Sequence, residues 1–439
     1  MENKKSKSLR ILVIGSGGRE HALVRKLAAS PLTEKIFVAP GNGGTAGLAE
    51  NVAIAADDIE GLAGFARENG IDLVVPGPEA PLTLGVTDVM RQAGIICFGP
   101  DKYCAALEGS KIFAKEIMRA ANTPTAACRV FDNVDDAREY AAKADRPLAI
   151  KADGLAGGKG VIVARDRDEA ARAIDEIMSS GKFGEAAKKI LIEEKLEGEE
   201  VSLLFFCDGK VAVPLPSAQD HKRVYDGDLG PNTGGMGAYS PAPCLPDEEA
   251  DAVADLVARP VLAELERRGH PFRGVLYAGL MLTADGPKVL EYNVRFGDPE
   301  CQPLLARLES DLVSHMLACV NGTLGEEKIV FSPKTALGVV LAAEGYPDNY
   351  PKNLKIEGLD DAADEGVAIY HSGTKYENGE LASSGGRVLC ATALGDDLQD
   401  ARNRAYRALE KIKMPHSHFR KDIGAKGLDR LRREKKKGS

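Results

Sequence analysis

Lys151-Ala152-Asp153-Gly154-Leu155-Ala156-Gly157-Gly158-Lys159-Gly160 joins one strand-like run, 148–152, to another, 161–164. Glycines at 154, 157, 158 and 160 let the backbone N–H groups of such a turn approach phosphate oxygens, while the ammonium groups of Lys151 and Lys159 offset phosphate charge. The stretch is not a P-loop: Gly160 follows Lys159 where Ser or Thr is required, Asp153 stands where glycine is required, and no helix starts here. A strand returning to a strand, then a helical pattern over 168–179 and a strand at 189–194, predicts instead a small α/β lid with a flexible hairpin. Taken alone, the hairpin reads equally well as a surface turn with two solvated lysines.

Upstream, β-like runs at 10–14, 35–39, 71–75 and 95–98 alternate with helical patterns near 19–29, 59–69 and 82–93. That alternation predicts an N-terminal doubly wound parallel α/β domain over 1–108, with ligand crevices at the C-terminal ends of its strands. The loops there are Gly15-Ser16-Gly17-Gly18-Arg19, 40–45 and Pro76-Gly77-Pro78-Glu79. The first resembles a dinucleotide fingerprint, but the following strand ends Val38-Ala39-Pro40-Gly41-Asn42, with no acid to hold ribose hydroxyls. What survives is a helix N-terminus able to hold a phosphate beside Arg19, or a tight turn with no ligand.

Downstream, a helical connector at 109–121 leads into the lid, about 123–195. Antiparallel strands at 201–207 and 211–216, a polar tract at 217–240, an amphipathic helix at 247–268 and a hairpin of 274–282 with 288–294 complete a second unit, 109–330. Short strands and one late helix, 397–412, form a small mixed C-terminal domain, 331–428, ahead of a basic tail, 429–439. The fold class expected is α/β and α+β multidomain.

Within the second hairpin, Leu290-Glu291-Tyr292-Asn293-Val294-Arg295 sets a carboxylate, an amide oxygen and a guanidinium on one face at period two. Glu291 and Asn293 are hard oxygen donors, suited to magnesium held by few protein ligands plus nucleotide phosphates. The bland reading is the solvent face of a sheet. Next, Asp298 is expected as a helix N-cap with Pro299 at the first helical position, a place that would receive a carboxylate or phosphate. The acidic run Glu193-Glu194-Lys195-Leu196-Glu197-Gly198-Glu199-Glu200 between two strands could meet an adenine amino group and ribose hydroxyls, or be a solvated turn. His221, alone among charges, reads as an orienting hydrogen-bonder and not as a base.

The chain has 439 residues and a net charge of −9. Its first ten residues carry +3 and residues 429–439 carry +4, leaving −16 for the body, which argues against general nucleic-acid binding and makes the ends solvated tails. The eight cysteines show no metal-type spacing and read as buried, reduced thiols. No apolar run is long enough for a signal peptide or a membrane helix, so a cytoplasmic enzyme is expected.

Taken together, K-A-D-G-L-A-G-G-K-G at 151–160, I-E-E-K-L-E-G-E-E at 192–200, S-A-Q-D-H-K-R at 217–223, G-P-N-T-G-G-M-G-A-Y-S-P at 230–241 and E-Y-N-V-R-F-G-D-P-E-C-Q-P at 291–303 strongly resemble the glycinamide ribonucleotide synthetase (phosphoribosylamine–glycine ligase) family of the ATP-grasp superfamily. The resemblance extends to G-S-G-G-R-E-H-A at 15–22, and to H-S-G-T at 371–374, G-G-R-V-L at 385–389 and R-K-D-I-G at 420–424. It implies an ATP-grasp fold and the ATP-dependent joining of glycine to 5-phosphoribosylamine through glycyl phosphate, a step of purine synthesis. It also implies Lys111, Lys151 and Lys159 on ATP phosphates, Glu193, Leu196 and Glu200 on adenosine, and Glu291 and Asn293 on Mg²⁺ or Mn²⁺. Gly17, Gly18 and Glu79 are expected at the sugar phosphate. Arg295, Asp220 and Lys222 are expected to face glycine or phosphate, with Arg295, Lys159 and Asp220 as catalytic groups. The partners expected are the small-molecule substrates, no nucleic acid and no membrane. A monomer, in transient contact with the enzyme that makes phosphoribosylamine, completes the expectation. Two rivals stand beside this reading: another ATP-grasp carboxylate ligase of purine metabolism, and a non-catalytic nucleotide sensor.

Overall fold

The structure, a computed structural model, describes residues 8–155, 160–180, 184–363 and 366–437. Lys159, with Ala156, Gly157 and Gly158 of the hairpin tip, lies outside the described residues. The N-terminal sheet is wholly parallel, in the order Glu50–Asn51, Thr33–Pro40, Leu9–Gly15, Leu73–Pro76, Ile96–Cys97. Its central run Ile11-Leu12-Val13-Ile14 is fully buried because both faces are covered: Leu12 and Ile14 enter one apolar core, Ile11 and Val13 another. The antiparallel sheet of Ala212–Pro214, Glu199–Asp208, Arg273–Thr283 and Gly286–Asn293 divides in the same way, with Leu203 and Phe205 in the first core and Leu204 and Phe206 in the second. Period-two side chains thus knit these two sheets into two shared cores.

The lid is a four-stranded sheet, Cys128–Phe131, Ile190–Glu194, Leu148–Ala152 and Val161–Ala164, backed by helices Val134–Ala142 and Arg167–Met178. Its core, including Ala137, Ile150, Ile174, Ile177, Ile190 and Ile192, is separate from the other two. A C-terminal sheet is built on Thr335–Ala343, Arg387–Gly395 and Ala368–His371, and the polar tract adds Gly237–Ser240 and then Gln219–Asp220 to its edge. The tract is therefore structural as well as polar, and it carries Asp220 from one domain's sequence into another's sheet.

Four expectations are corrected. The helix expected at 82–93 breaks at Gly85, whose φ of 97° ends Glu79–Leu84 and starts Val86–Gln92. That expected at 247–268 is two helices, Ala250–Val257 and Arg259–Arg267, because Pro260 in the first turn of the latter has no N–H to continue the former. Asp298 is not an N-cap: the helix is Cys301–Arg307, capped at Glu300, and the Asp298 carboxylate is spent on Gln302 and Arg387. The supposed basic tail is the helix Ala425–Lys437. Leu428 and Leu431, three residues apart, pack on the main core, and Gly427 lies against the Tyr239 ring.

Candidate functional site

Lid, antiparallel sheet, N-terminal domain and C-terminal segment enclose one cleft of about 1410 Å³. Its inner wall is a line of lysines held by one acid. Glu193, 2 % exposed, lies 2.8 Å from Lys151 and 3.2 Å from Lys115. Lys115 also donates to Thr125 Oγ1 at 2.7 Å and to the Ala126 carbonyl, and Lys151 to the Leu290 carbonyl, so the lid is tied to the metal-type strand at this point. Lys111 donates to the Gly154 carbonyl at 3.2 Å. Burial lowers the pKa of Lys111 and of Lys115, with nearby acids opposing it. Lys115 went unnoticed in the sequence, where one lysine in a helix carries no signal. Glu193, drawn inward to these lysines, lines the cleft together with Leu196 and Glu200.

Glu291 and Asn293 also line the cleft. Burial alone would raise the Glu291 carboxyl, but Lys222, Lys111, Lys151 and Arg295 together hold it below the usual range. Its nearest cation is Lys222, 3.8 Å away, and it accepts no hydrogen bond among the described residues. Lys222 in turn reaches Glu200 at 3.7 Å, and its ammonium is held charged by Asp220, Glu291 and Glu200 against the effect of burial. Asp220 lies beside them. Its carboxyl is pushed up to about 7 by burial, with Lys222 opposing and Glu300, Glu200 and Glu291 adding to the rise.

Arginines gather at the far end. Arg295 donates to Glu108 at 2.6 Å, lies 3.5 Å from Glu79 and reaches the Asn293 amide oxygen at 3.5 Å. Glu108, which also accepts from the Val294 N–H, is pushed up to about 7 by burial, with Arg295 opposing. Arg19 pairs with Glu20 at 2.6 Å and donates to the Phe296 carbonyl, and Arg387 meets Asp298 at 3.3 Å. All three arginines line the cleft. Gly17 and Gly18 do not: the Gly17 N–H is taken by Glu20, and a Cβ at Gly18 would meet Gln302 and Ser372 at 2.7 Å. Arg19 is the member of that loop facing the cleft. Glu108 was not legible, and Arg387 sat unassigned within G-G-R-V-L. His221 is buried, bonds the Gly237 carbonyl through Nδ1 and is pushed down to about 4 by burial with Arg420 adding, which fits an orienting role.

Among the described residues no cluster of three or more His, Cys, Asp or Glu could hold a metal. Glu291 and Asn293 still fit a magnesium or manganese ion. They are two hard oxygen donors, the carboxylate ionised with its lone pairs unspent, beside lysines able to bring phosphates that complete a coordination shell.

Three family models match the chain: the N domain of phosphoribosylglycinamide synthetase over residues 9–108, its ATP-grasp (A) domain over 109–301 and its C domain over 336–426. The phosphoribosylamine–glycine ligase of Allochromatium vinosum is 50 % identical over 427 residues, 97 % of this chain and 100 % of that one. That of Rhodopirellula baltica is 49 % identical over 426 residues, 95 % of this chain and 98 % of that one. The crystal structure of the Thermotoga maritima phosphoribosylamine–glycine ligase superposes with a TM-score of 0.80 at 32 % identity, covering 94 % of this chain and 100 % of that one. The biotin carboxylase domain of the 2-oxoglutarate carboxylase from Hydrogenobacter thermophilus, solved with the magnesium salt of ADP and bicarbonate, shares the fold at a TM-score of 0.71 and 17 % identity, over 93 % of this chain and 91 % of that one.

Proposed function

The chain belongs to the phosphoribosylglycinamide synthetase family, and from that premise we propose how its cleft carries out the reaction. The chain is an ATP-dependent ligase that joins glycine to 5-phosphoribosylamine, giving 5-phosphoribosylglycinamide, ADP and phosphate. A glycine carboxylate oxygen attacks the γ-phosphorus and ADP leaves. The amine nitrogen then attacks the carbonyl carbon of glycyl phosphate, the C–O bond to phosphate breaks, and the nitrogen loses a proton.

One observation carries the assignment of residues: the ionised Glu291 carboxylate, which accepts no hydrogen bond among the described residues, shares one cleft with Lys111, Lys151 and Lys222. Lys111, Lys151 and Lys159 take the ATP phosphates, and Glu193 fixes Lys151 in place from below. Leu196 and Glu200 serve the adenosine. Glu291 and Asn293 hold Mg²⁺ or Mn²⁺, which when bound neutralises phosphate charge. Arg295, braced by Glu108 and Glu79, faces the carboxylate and the transferring phosphoryl group, whose charge it stabilises in a closed site. Asp220 and Lys222 orient glycine. Glu79 and the Arg19 side chain form the sugar-phosphate end, and Gly17 and Gly18 shape the loop that carries Arg19.

Among the described residues no helix is long and apolar enough to cross a membrane, and we place the enzyme in the cytoplasm. It works as a monomer that touches the phosphoribosylamine producer only transiently; equal rates for coupled and separated enzymes would argue against that contact. The deciding assay is phosphate release from ATP and Mg²⁺ with freshly generated phosphoribosylamine, with and without glycine, for wild type and Glu291→Ala. Release that needs both substrates and collapses in the variant supports the assignment. Release indifferent to glycine points to another ATP-grasp substrate, and tight ATP binding without turnover points to a sensor.

A further inference from the structure

The helix Ala425–Lys437 is a second, unassigned source of positive charge in the cleft. Lys426, Arg430, Arg433 and Lys437 recur at intervals of three or four residues, so they share one face, and all four line the cleft. Two of them are anchored. Arg430 meets Glu199 at 3.0 Å, and Lys426 meets Asp228 at 2.5 Å. Glu199 also accepts from Gln219, whose amide oxygen is held by the Tyr239 hydroxyl, and Tyr239 packs against Gly427. The helix is thereby bolted to the strand that begins at Glu199, next to Glu200 and three residues beyond Leu196. Arg433 and Lys437 have no ion-pair or hydrogen-bond partner among the described residues, and both are exposed toward the cleft. The acids of the same helix that line the cleft are paired elsewhere, Glu434 with Arg430 at 2.9 Å and Asp429 with Arg432 at 3.1 Å, so in a body carrying −16 outside its termini Arg433 and Lys437 on the rim form a local attractor for a polyanion.

We infer that this helix forms the outer wall of the nucleotide site: Arg430 positions the adenosine-binding hinge through Glu199, and Arg433 and Lys437 draw in and retain the ATP polyanion. The inference rests on the cleft being the ATP site. The full-length protein is tested for ADP binding by calorimetry at 20 mM and 300 mM salt, together with the KM for ATP and for glycine. Arg433→Glu is set against Lys435→Glu, an exposed residue of the same helix that does not line the cleft, so both variants carry the same change in net charge. Arg433→Glu weakens ADP binding about fivefold at low salt and much less at high salt, because a reversed charge on the rim of the cleft is felt in dilute buffer and screened in salt. The ATP KM follows it, the glycine KM does not, and Lys435→Glu matches wild type. Arg430→Ala raises the ATP KM, and Arg430→Lys restores part of the loss. Equal shifts in Arg433→Glu and Lys435→Glu would reduce the effect to net charge and overturn the inference, as would wild-type ADP affinity in Arg433→Glu. Wild-type protein that binds no ADP would instead sink the reading of the cleft itself, and this inference with it.

Discussion

Replacing Glu193 by Gln removes one negative charge from between two buried ammonium groups while keeping the shape of the side chain. The Lys115 and Lys151 side chains are 6 % and 9 % exposed, so neither can turn to water for compensation. Losing one partner of a buried pair costs roughly 3–5 kcal/mol. The Gln amide oxygen still accepts, and Lys115 keeps Thr125 and Ala126, which places the expected loss near the lower end, about 3 kcal/mol. For a cooperative unit the size of the ATP-grasp portion, each kcal/mol moves Tm by about 2–4 °C, giving a fall of about 6–12 °C in the first thermal transition. The pH dependence gives a second check. Burial already lowers the pKa of Lys115, and Glu193 opposes that; without Glu193 it falls further. A lysine whose folded value lies below its unfolded one binds fewer protons when folded, so its penalty fades as pH rises toward the unfolded value. The deficit of Glu193→Gln is therefore larger at pH 6.5 than at pH 9.5. A fall of less than about 2 °C at neutral pH, or a deficit that grows with pH, would refute the reasoning.

Glu291→Ala lowers the rate of glycine-dependent phosphate release by about 100-fold or more and raises the Mg²⁺ concentration needed for half-maximal rate, read from a magnesium titration. Glu108, pushed up to about 7, favours the fold in its neutral form, so its contribution is present at pH 4.5 and is lost as pH rises through about 7. Glu108→Gln accordingly tracks wild-type Tm at pH 5 and gains on it by pH 8.5; parallel Tm curves would count against this. Gly235→Ala puts a methyl group 2.4 Å from Pro299 at a φ of +116°, and a loss of about 2 kcal/mol or more in urea unfolding is expected.

Strand and helix types were readable wherever a two- or 3.6-residue period ran unbroken, as in the parallel sheet and the hairpin that carries Glu291. The failures have two causes: local helix breakers inside an apolar pattern, and partners distant in sequence. Pro260 and Gly85 interrupt patterns that hydrophobicity alone would run together. Asp298 has the residue type of an N-cap, yet Arg387, 89 residues away, claims its carboxylate. The 429–439 segment reads as a tail because its charges dominate its one leucine, Leu431, and only the packed core shows where that leucine and Leu428 go. At the site, lysines and acids in glycine-rich motifs announced themselves. Glu108 and Lys115 sit inside ordinary helices and gain their roles only from what folds against them.

The lid's private core has a kinetic consequence. Because Ile150, Ile174 and Ile192 pack among themselves and not into the body, the lid can swing on its two connecting segments without exposing its own interior. Opening is then a rigid-body pivot, not a partial melting, and the amides of Leu148–Ala152 keep their protection from hydrogen exchange while nucleotide comes and goes. The slow step of a turnover can reside in that pivot, with the departure of ADP timed by the ties between lid and body, such as the Lys151 bond to the Leu290 carbonyl and the pairing of Thr125 with Val289.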